Sequence, residues 1–202
     1  MSEPKPPREL NDPRELRAIT HPVRIRILED LVMTGPATAT ELSERIGETP
    51  ANCSWHLRQL AKFGWVEEAG GGTGRQRPWQ LVVQLKYFAR GEVDEDLRIA
   101  TTAVTRHMVA REYQALRAWF ATVPAEATEW RDAAFVTQNV GWCTPEELAE
   151  IAQAVSDACD RYVDRINDPS RRPPGARPIR FLAWGVPGQP LPISEDPESR
   201  DP

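Results

Sequence analysis

The sequence predicts a mainly α-helical protein with a small β hairpin, in which a compact four-helix domain precedes a second, helical α+β module. Three observations carry this expectation. Helix-start signatures recur at Asp12-Pro13, His21-Pro22, Thr38 with Glu41, and Thr49-Pro50, each just ahead of apolar residues at helical spacing. A glycine cluster at residues 70–74 separates two β-rich runs. A long helical pattern then begins at Glu92.

Composition bounds the rest. The chain has 202 residues, a hydrophobic fraction of 40% and a charged fraction of 27%, the profile of a soluble globular protein with enough length for a real core. Its longest apolar stretches, such as 81–83 and 181–186, fall far short of the ~18 residues a membrane span needs. No apolar signal-peptide core follows Met1, and Cys53, Cys143 and Cys159 are too few and too far apart for a disulfide framework. A cytoplasmic protein with no membrane partner is expected. The net charge of −5 is unevenly spread: residues 14–83 carry nine Lys/Arg and eight Asp/Glu, residues 84–168 nine against fifteen. The acidity belongs to the second half, so the first can still present a basic surface.

Proline placement sets the boundaries. Four of nineteen prolines fall in residues 1–13 and nine in 169–202. Residues 1–11 read as a disordered arm, 12–85 as the first domain and 86–168 as the second. Residues 169–202 read as a Pro-rich tail with a docked strand at 178–184.

Each element has a local cause. Asp12 caps a helix with Pro13 at its first position and Leu10, Leu16 and Ile19 on its apolar side. His21-Pro22 ends it and opens a second helix with Val23, Ile27, Leu28 and Leu31 at helical spacing, stopped by Gly35-Pro36. Thr38 and Glu41 form a capping box for the short helix TELSERI, which Gly47 closes. Thr49-Pro50 opens a helix over residues 50–63, closed by Gly64. Two short helices joined across Gly47-Glu48 have the spacing of a helix-turn-helix. WVEEA and RPWQLVV on either side of GGGTG then read as a hairpin. That order of elements is a winged helix-turn-helix.

The runs THPVRIRILEDL and ATELSERIGETPANCSWHLRQLAKFGWVEEA, followed by the Arg-containing glycine loop, resemble the ArsR-type winged helix-turn-helix family of bacterial transcription regulators. The resemblance covers roughly residues 12–85. It implies a DNA-binding homodimer that sets one recognition helix per subunit into successive major grooves of double-stranded DNA, under the control of a metal, a small molecule or neither.

Along residues 50–63, Cys53, Leu57 and Leu60 recur at i, i+4, i+7 and should face the core. Asn52, Ser54, Trp55, Arg58, Gln59 and Lys62 lie on other faces. Asn and Gln pair with adenine edges and Arg with guanine edges, and Ser54 and Arg58, one turn apart, can meet the duplex together. Asn52, Ser54 and Trp55 match positions that touch DNA in the family, although Trp55 stands where the family more often has a polar or basic residue. Thr49 at the cap completes this set. His56 matches the family's His before Leu and reads as a packing or phosphate-contacting residue, and Gln59 and Lys62 as phosphate contacts that fix register. Arg75, then Arg77, are the residues of the loop at 70–77 suited to a narrow minor groove.

The second half should set the assembly. Val93, Leu97, Ala100, Val104 and Met108, continued by Leu116 and Trp119/Phe120, repeat with the steps of a helix-pair seam, expected to serve dimerisation or packing within the chain. Thr144-Pro145-Glu146-Glu147 starts another helix, with Leu148, Ile151, Val155, Cys159, Tyr162 and Ile166 on its buried face. AAFVTQNVGW and RPIRFLAW read as strands that complete an α+β module, with an effector pocket lined by Trp119, Phe120, Trp130, Trp142 or Trp184. No cofactor and no metal site is expected. The first helix of the pair has no cysteines, and His107, Glu112, Asp94 and Asp96 fall on no ligand spacing. Catalytic signatures such as G-x-S-x-G, H-E-x-x-H or a phosphate loop are missing, so an enzyme is not expected. The alternatives are a winged-helix module that binds protein instead of DNA, and, more remotely, a metal-responsive repressor.

Overall fold

The computed structural model describes residues 8–70, 77–84, 86–89 and 93–188. The first domain is built from β1 (Arg8–Leu10), α1 (Pro13–Ala18), α2 (Pro22–Thr34), α3 (Ala39–Ile46), α4 (Pro50–Lys62), β2 (Val66–Glu68), β3 (Trp79–Leu81) and β4 (Lys86–Phe88). The expected caps form. Asp12 accepts from the Arg14 N–H, His21 Nδ1 from Val23, Thr38 and Glu41 close a reciprocal capping box, and Thr49 accepts from Asn52. Gly47 ends α3 in the left-handed region at φ 69°, which lets the chain reverse within two residues.

Two cores result. Val23, Ile27, Leu31, Ala37, Leu42, Cys53, Leu57, Leu60 and Val66 fill the space between α2, α3, α4 and β2. Cys53, Leu57 and Leu60 are fully buried, as their spacing requires. β2 and β3 pair antiparallel, with Val66 opposite Leu81. The second core joins Leu10 and Leu16 to Leu97, Ala100 and Val104 of α5 (Glu95–Thr122).

This second core corrects one expectation and bears on another. Residues 8–10 are not part of a frayed arm: they pair parallel with β4, seat Leu10 at 3% exposure, and hold Glu15 and the Phe63 carbonyl through Arg8. Leu97, Ala100 and Val104, expected to serve dimerisation or packing within the chain, are covered by α1 of the same chain, with Val93 packed alongside. Of that seam Met108 is exposed, as is Phe120 at its far end.

Past α5 the chain forms α6 (Thr128–Ala133), α7 (Pro145–Asp160) and α8 (Asp164–Asn167). The Thr144/Glu147 capping box starts α7 as expected. The expected strands do not form: residues 134–144 and 173–188 pair with no strand, so no sheet gives α7 a surface to pack on. Ile151 on its apolar face and Tyr162 just past its end are about half exposed. The aromatic residues expected to line a pocket do not gather around one among the described residues. Trp142 is fully exposed, Trp184 is 71% exposed, Phe120 lies against Trp119, and Trp130 lies under the Arg177 guanidinium.

The end of the second module and the tail reach back to the first domain without a strand. Asn167 Nδ2 donates to the Leu81 carbonyl at 2.7 Å, and Arg172 donates to the carbonyls of Met33 and Thr34 at the end of α2. Arg180 bonds both Glu29 of α2 and Glu112 of α5, and Arg111 pairs with Glu29. Burial alone would raise the Glu29 carboxyl, but the two arginines outweigh it and hold it below the ordinary carboxylate value. Among the described residues no helix is long and apolar enough to cross a membrane.

Candidate nucleic-acid interface

The α3–turn–α4 unit presents one polar face. With Cys53, Leu57 and Leu60 directed inward, the remaining positions of α4 alternate between half-buried Asn52, Ser54 and Gln59 and exposed Trp55, Arg58 and Lys62. Burial of the inner stripe fixes the rotation of α4 about its own axis, so the outer side chains point away from the domain together. An α-helix with this face has the diameter of a major groove.

Thr49 is occupied at the cap, its hydroxyl accepting from the Asn52 N–H at 3.2 Å. Asn52 is held as well, its Nδ2 donating to Glu48 Oε2 at 2.8 Å. Trp55 is 50% exposed and rests edge-on against His56, with ring centroids 4.7 Å apart. Lys62 lies 5.8 Å from the centre of the Phe63 ring.

His56 is a correction. It is 3% exposed, its ring centroid 4.6 Å from that of His21, and therefore lies behind the outer face of α4 where a duplex cannot reach it. Of the two readings its position allowed, packing is the one the geometry supports. Burial, then the neighbouring His21 and Arg24, push the His56 imidazole below its ordinary value, and burial and Arg24 do the same to His21. Burial likewise pushes the Cys53 thiol up, which keeps it protonated.

Beside the helix pair, Arg75 lies outside the described residues. Arg77 stands at the foot of β3 and bonds Glu68 Oε2 across the hairpin at 2.9 Å. Sequence reasoning missed Glu48 and Arg26. Glu48 accepts from Arg26 Nη2 at 2.5 Å and from Asn52, and Arg26 Nη1 donates to the Ile46 carbonyl at 2.7 Å. The i, i+4 spacing of Glu48 and Asn52 was the available signal. The Asn52 bond, opposed by some burial and aided by Arg26, holds the Glu48 carboxyl below its ordinary value.

Two capped helices locked at a left-handed glycine, with one apolar and one polar face, define a helix-turn-helix domain. Consistent with that class, a family model described as a helix-turn-helix domain matches residues 19–68, from the C-cap of α1 to the end of β2. No curated protein matches the chain. A helix-turn-helix domain points to a DNA-binding regulator.

Proposed function

We propose that this chain is a transcriptional regulator of the ArsR-type winged helix-turn-helix kind, binding double-stranded DNA as a homodimer. The observation that carries the reading is the outer face of α4, where Ser54, Trp55, Arg58 and Lys62 stand together on a helix whose inner face is fully sealed. In this reading α4 enters the major groove, Asn52, Ser54, Trp55 and Arg58 meet base edges or sugars, and Gln59 and Lys62 set register on the phosphates. The β2–β3 hairpin serves as the wing, with Arg77 and the loop carrying Arg75 beside the minor groove. No catalytic step, cofactor or metal is part of the proposal, and the protein acts in the cytoplasm. A small-molecule effector would act through the second half, outside the aromatic set first expected to bind it.

The homodimer is proposed through a different side of α5. With its Leu97 side taken up by α1, the helix still shows a second stripe: Thr102, Arg106, Val109, Tyr113, Leu116 and Phe120, spaced four, three, four, three and four. Val109, Tyr113 and Phe120 are 37%, 58% and 54% exposed. Steps of this kind keep one face turned to a partner helix over several turns.

Fluorescence anisotropy with a duplex from upstream of the coding region, a scrambled duplex and two salt concentrations tests the function. Preferential binding that weakens steeply with salt is expected. The Arg58→Ala variant should lose more on the preferred duplex than on the scrambled one. Equal loss on both would move Arg58 to the phosphate backbone. No binding to either duplex at low salt would turn the α4 face over to a protein partner.

A further inference from the structure

Glu48 sits badly with a helix that approaches phosphates. It lies one residue after Gly47 and one before the cap of α4, where a carboxylate repels the backbone of any duplex. Its side chain is nonetheless engaged on two sides, by Arg26 at 2.5 Å and by the Asn52 amide at 2.8 Å, and is only 21% exposed. Arg26 is itself tied to the Ile46 carbonyl at the end of α3, so the carboxylate is anchored to the element before the turn.

The consequence falls on Asn52. An ionised carboxylate only accepts hydrogen bonds, so the Asn52 amide nitrogen must face Glu48 and the carbonyl Oδ1 must occupy the opposite edge. A free asparagine turns about its terminal torsion with roughly two-fold symmetry and offers donor and acceptor interchangeably. Here one orientation is imposed before any duplex arrives. Asn52 then offers Oδ1 as an acceptor and the second Nδ2 hydrogen as a donor. Adenine presents the complement of that pair in the major groove, with its N6 amino group and N7.

We propose that Glu48 is a positioning residue that orients Asn52 toward one adenine in each half-site, trading general affinity for duplex against preference at that base. The inference rests on the reading of α4 as the recognition helix. A carboxylate that merely stabilised the turn would affect all sequences alike, whereas a positioning role moves affinity and preference in opposite directions. The turn itself does not depend on the side chain, since the Glu48 N–H reaches the Ser43 carbonyl at 3.0 Å through the backbone.

The test is selection of bound duplexes from a random library with the full chain and its Asn52→Ala, Glu48→Ala and Glu48→Gln variants, paired with anisotropy on a random duplex. The wild type should enrich one adenine whose enrichment disappears in Asn52→Ala, which assigns the position. Glu48→Ala should flatten that same adenine, leave the other enriched positions in place, and bind random duplex a few-fold tighter. Glu48→Gln leaves one oxygen, which donor-only Arg26 takes, and turns an amino group toward Asn52, so it should flatten the same adenine as Glu48→Ala does. An adenine enrichment unchanged in Glu48→Ala, or a loss that is uniform across all positions, would overturn the inference while leaving α4 as the recognition helix. A wild type that enriches nothing and binds no duplex would instead remove that reading, and the inference with it.

Discussion

Between α2 and α4 the rings of His21 and His56 lie 4.6 Å apart, and His56 Nδ1 is buried with no hydrogen-bond partner among the described residues. His21 Nδ1 must stay unprotonated to accept from the Val23 N–H at the start of α2, where a positive charge would also oppose the helix dipole. Both imidazoles are held below their ordinary value of 6.5, chiefly by burial. The sign follows from linkage. Above that value neither the folded nor the unfolded chain carries these protons, and the full stability is present. Below it the unfolded chain takes up protons that the folded chain resists, so stability falls as the pH drops through and below 6.5. Urea midpoints measured at about pH 7.5 and about pH 5.5 should show a clear loss at the lower pH, smaller in His56→Gln. A wild-type midpoint unchanged across that interval would contradict the account. At this scale the sequence showed the caps and the inward residues of α4, because both depend on neighbours within four positions. It did not show that His56 would meet His21, a contact that exists only after α2 and α4 have packed.

The helix α5 carries an apolar stripe and a second, mixed stripe with Val109, Tyr113, Leu116 and Phe120 in its later turns, and the difference between them is a matter of what covers each. Leu97, Ala100 and Val104 are closed over by Leu10 and Leu16, so Leu97→Ala should destabilise folding by about 2–5 kcal/mol, read from urea unfolding. Tyr113, 58% exposed, belongs to the other stripe. Tyr113→Asp should leave the unfolding midpoint of the first domain nearly unchanged and shift sedimentation from dimer to monomer. The opposite pattern, with Leu97→Ala monomeric and stable, would restore the first seam as the interface. Helical periodicity names an apolar face and stays silent on whether the same chain or another covers it, which is why Leu97, Ala100 and Val104 read equally well as either. The strands expected at AAFVTQNVGW and RPIRFLAW failed for a related reason. A β-rich run becomes a strand only when a partner edge lies within reach, and here residues 134–144 and 173–188 find none. The parallel pair of β1 and β4 was invisible in the opposite sense, three residues each with charged side chains and no alternation to mark them.

Across the whole molecule, charge and connection divide the labour. The acidic balance sits in residues 84–168, while the outer face of α4 carries the exposed cations Arg58 and Lys62. Asn167 of α8 bonds β3 and Arg172 of the tail bonds the end of α2, which ties the two halves together. A two-fold dimer of this chain would present two α4 helices, and a pair of helices in successive major grooves demands half-sites about 10–10.5 base pairs apart, centre to centre. The most direct measurement is therefore the sequence and stoichiometry of the bound complex, obtained by selection from a random duplex library followed by sedimentation of the protein with the winning duplex. The account predicts an inverted repeat with that spacing and two chains per duplex. A single asymmetric site occupied by one chain, or no enriched sequence at all, would contradict it.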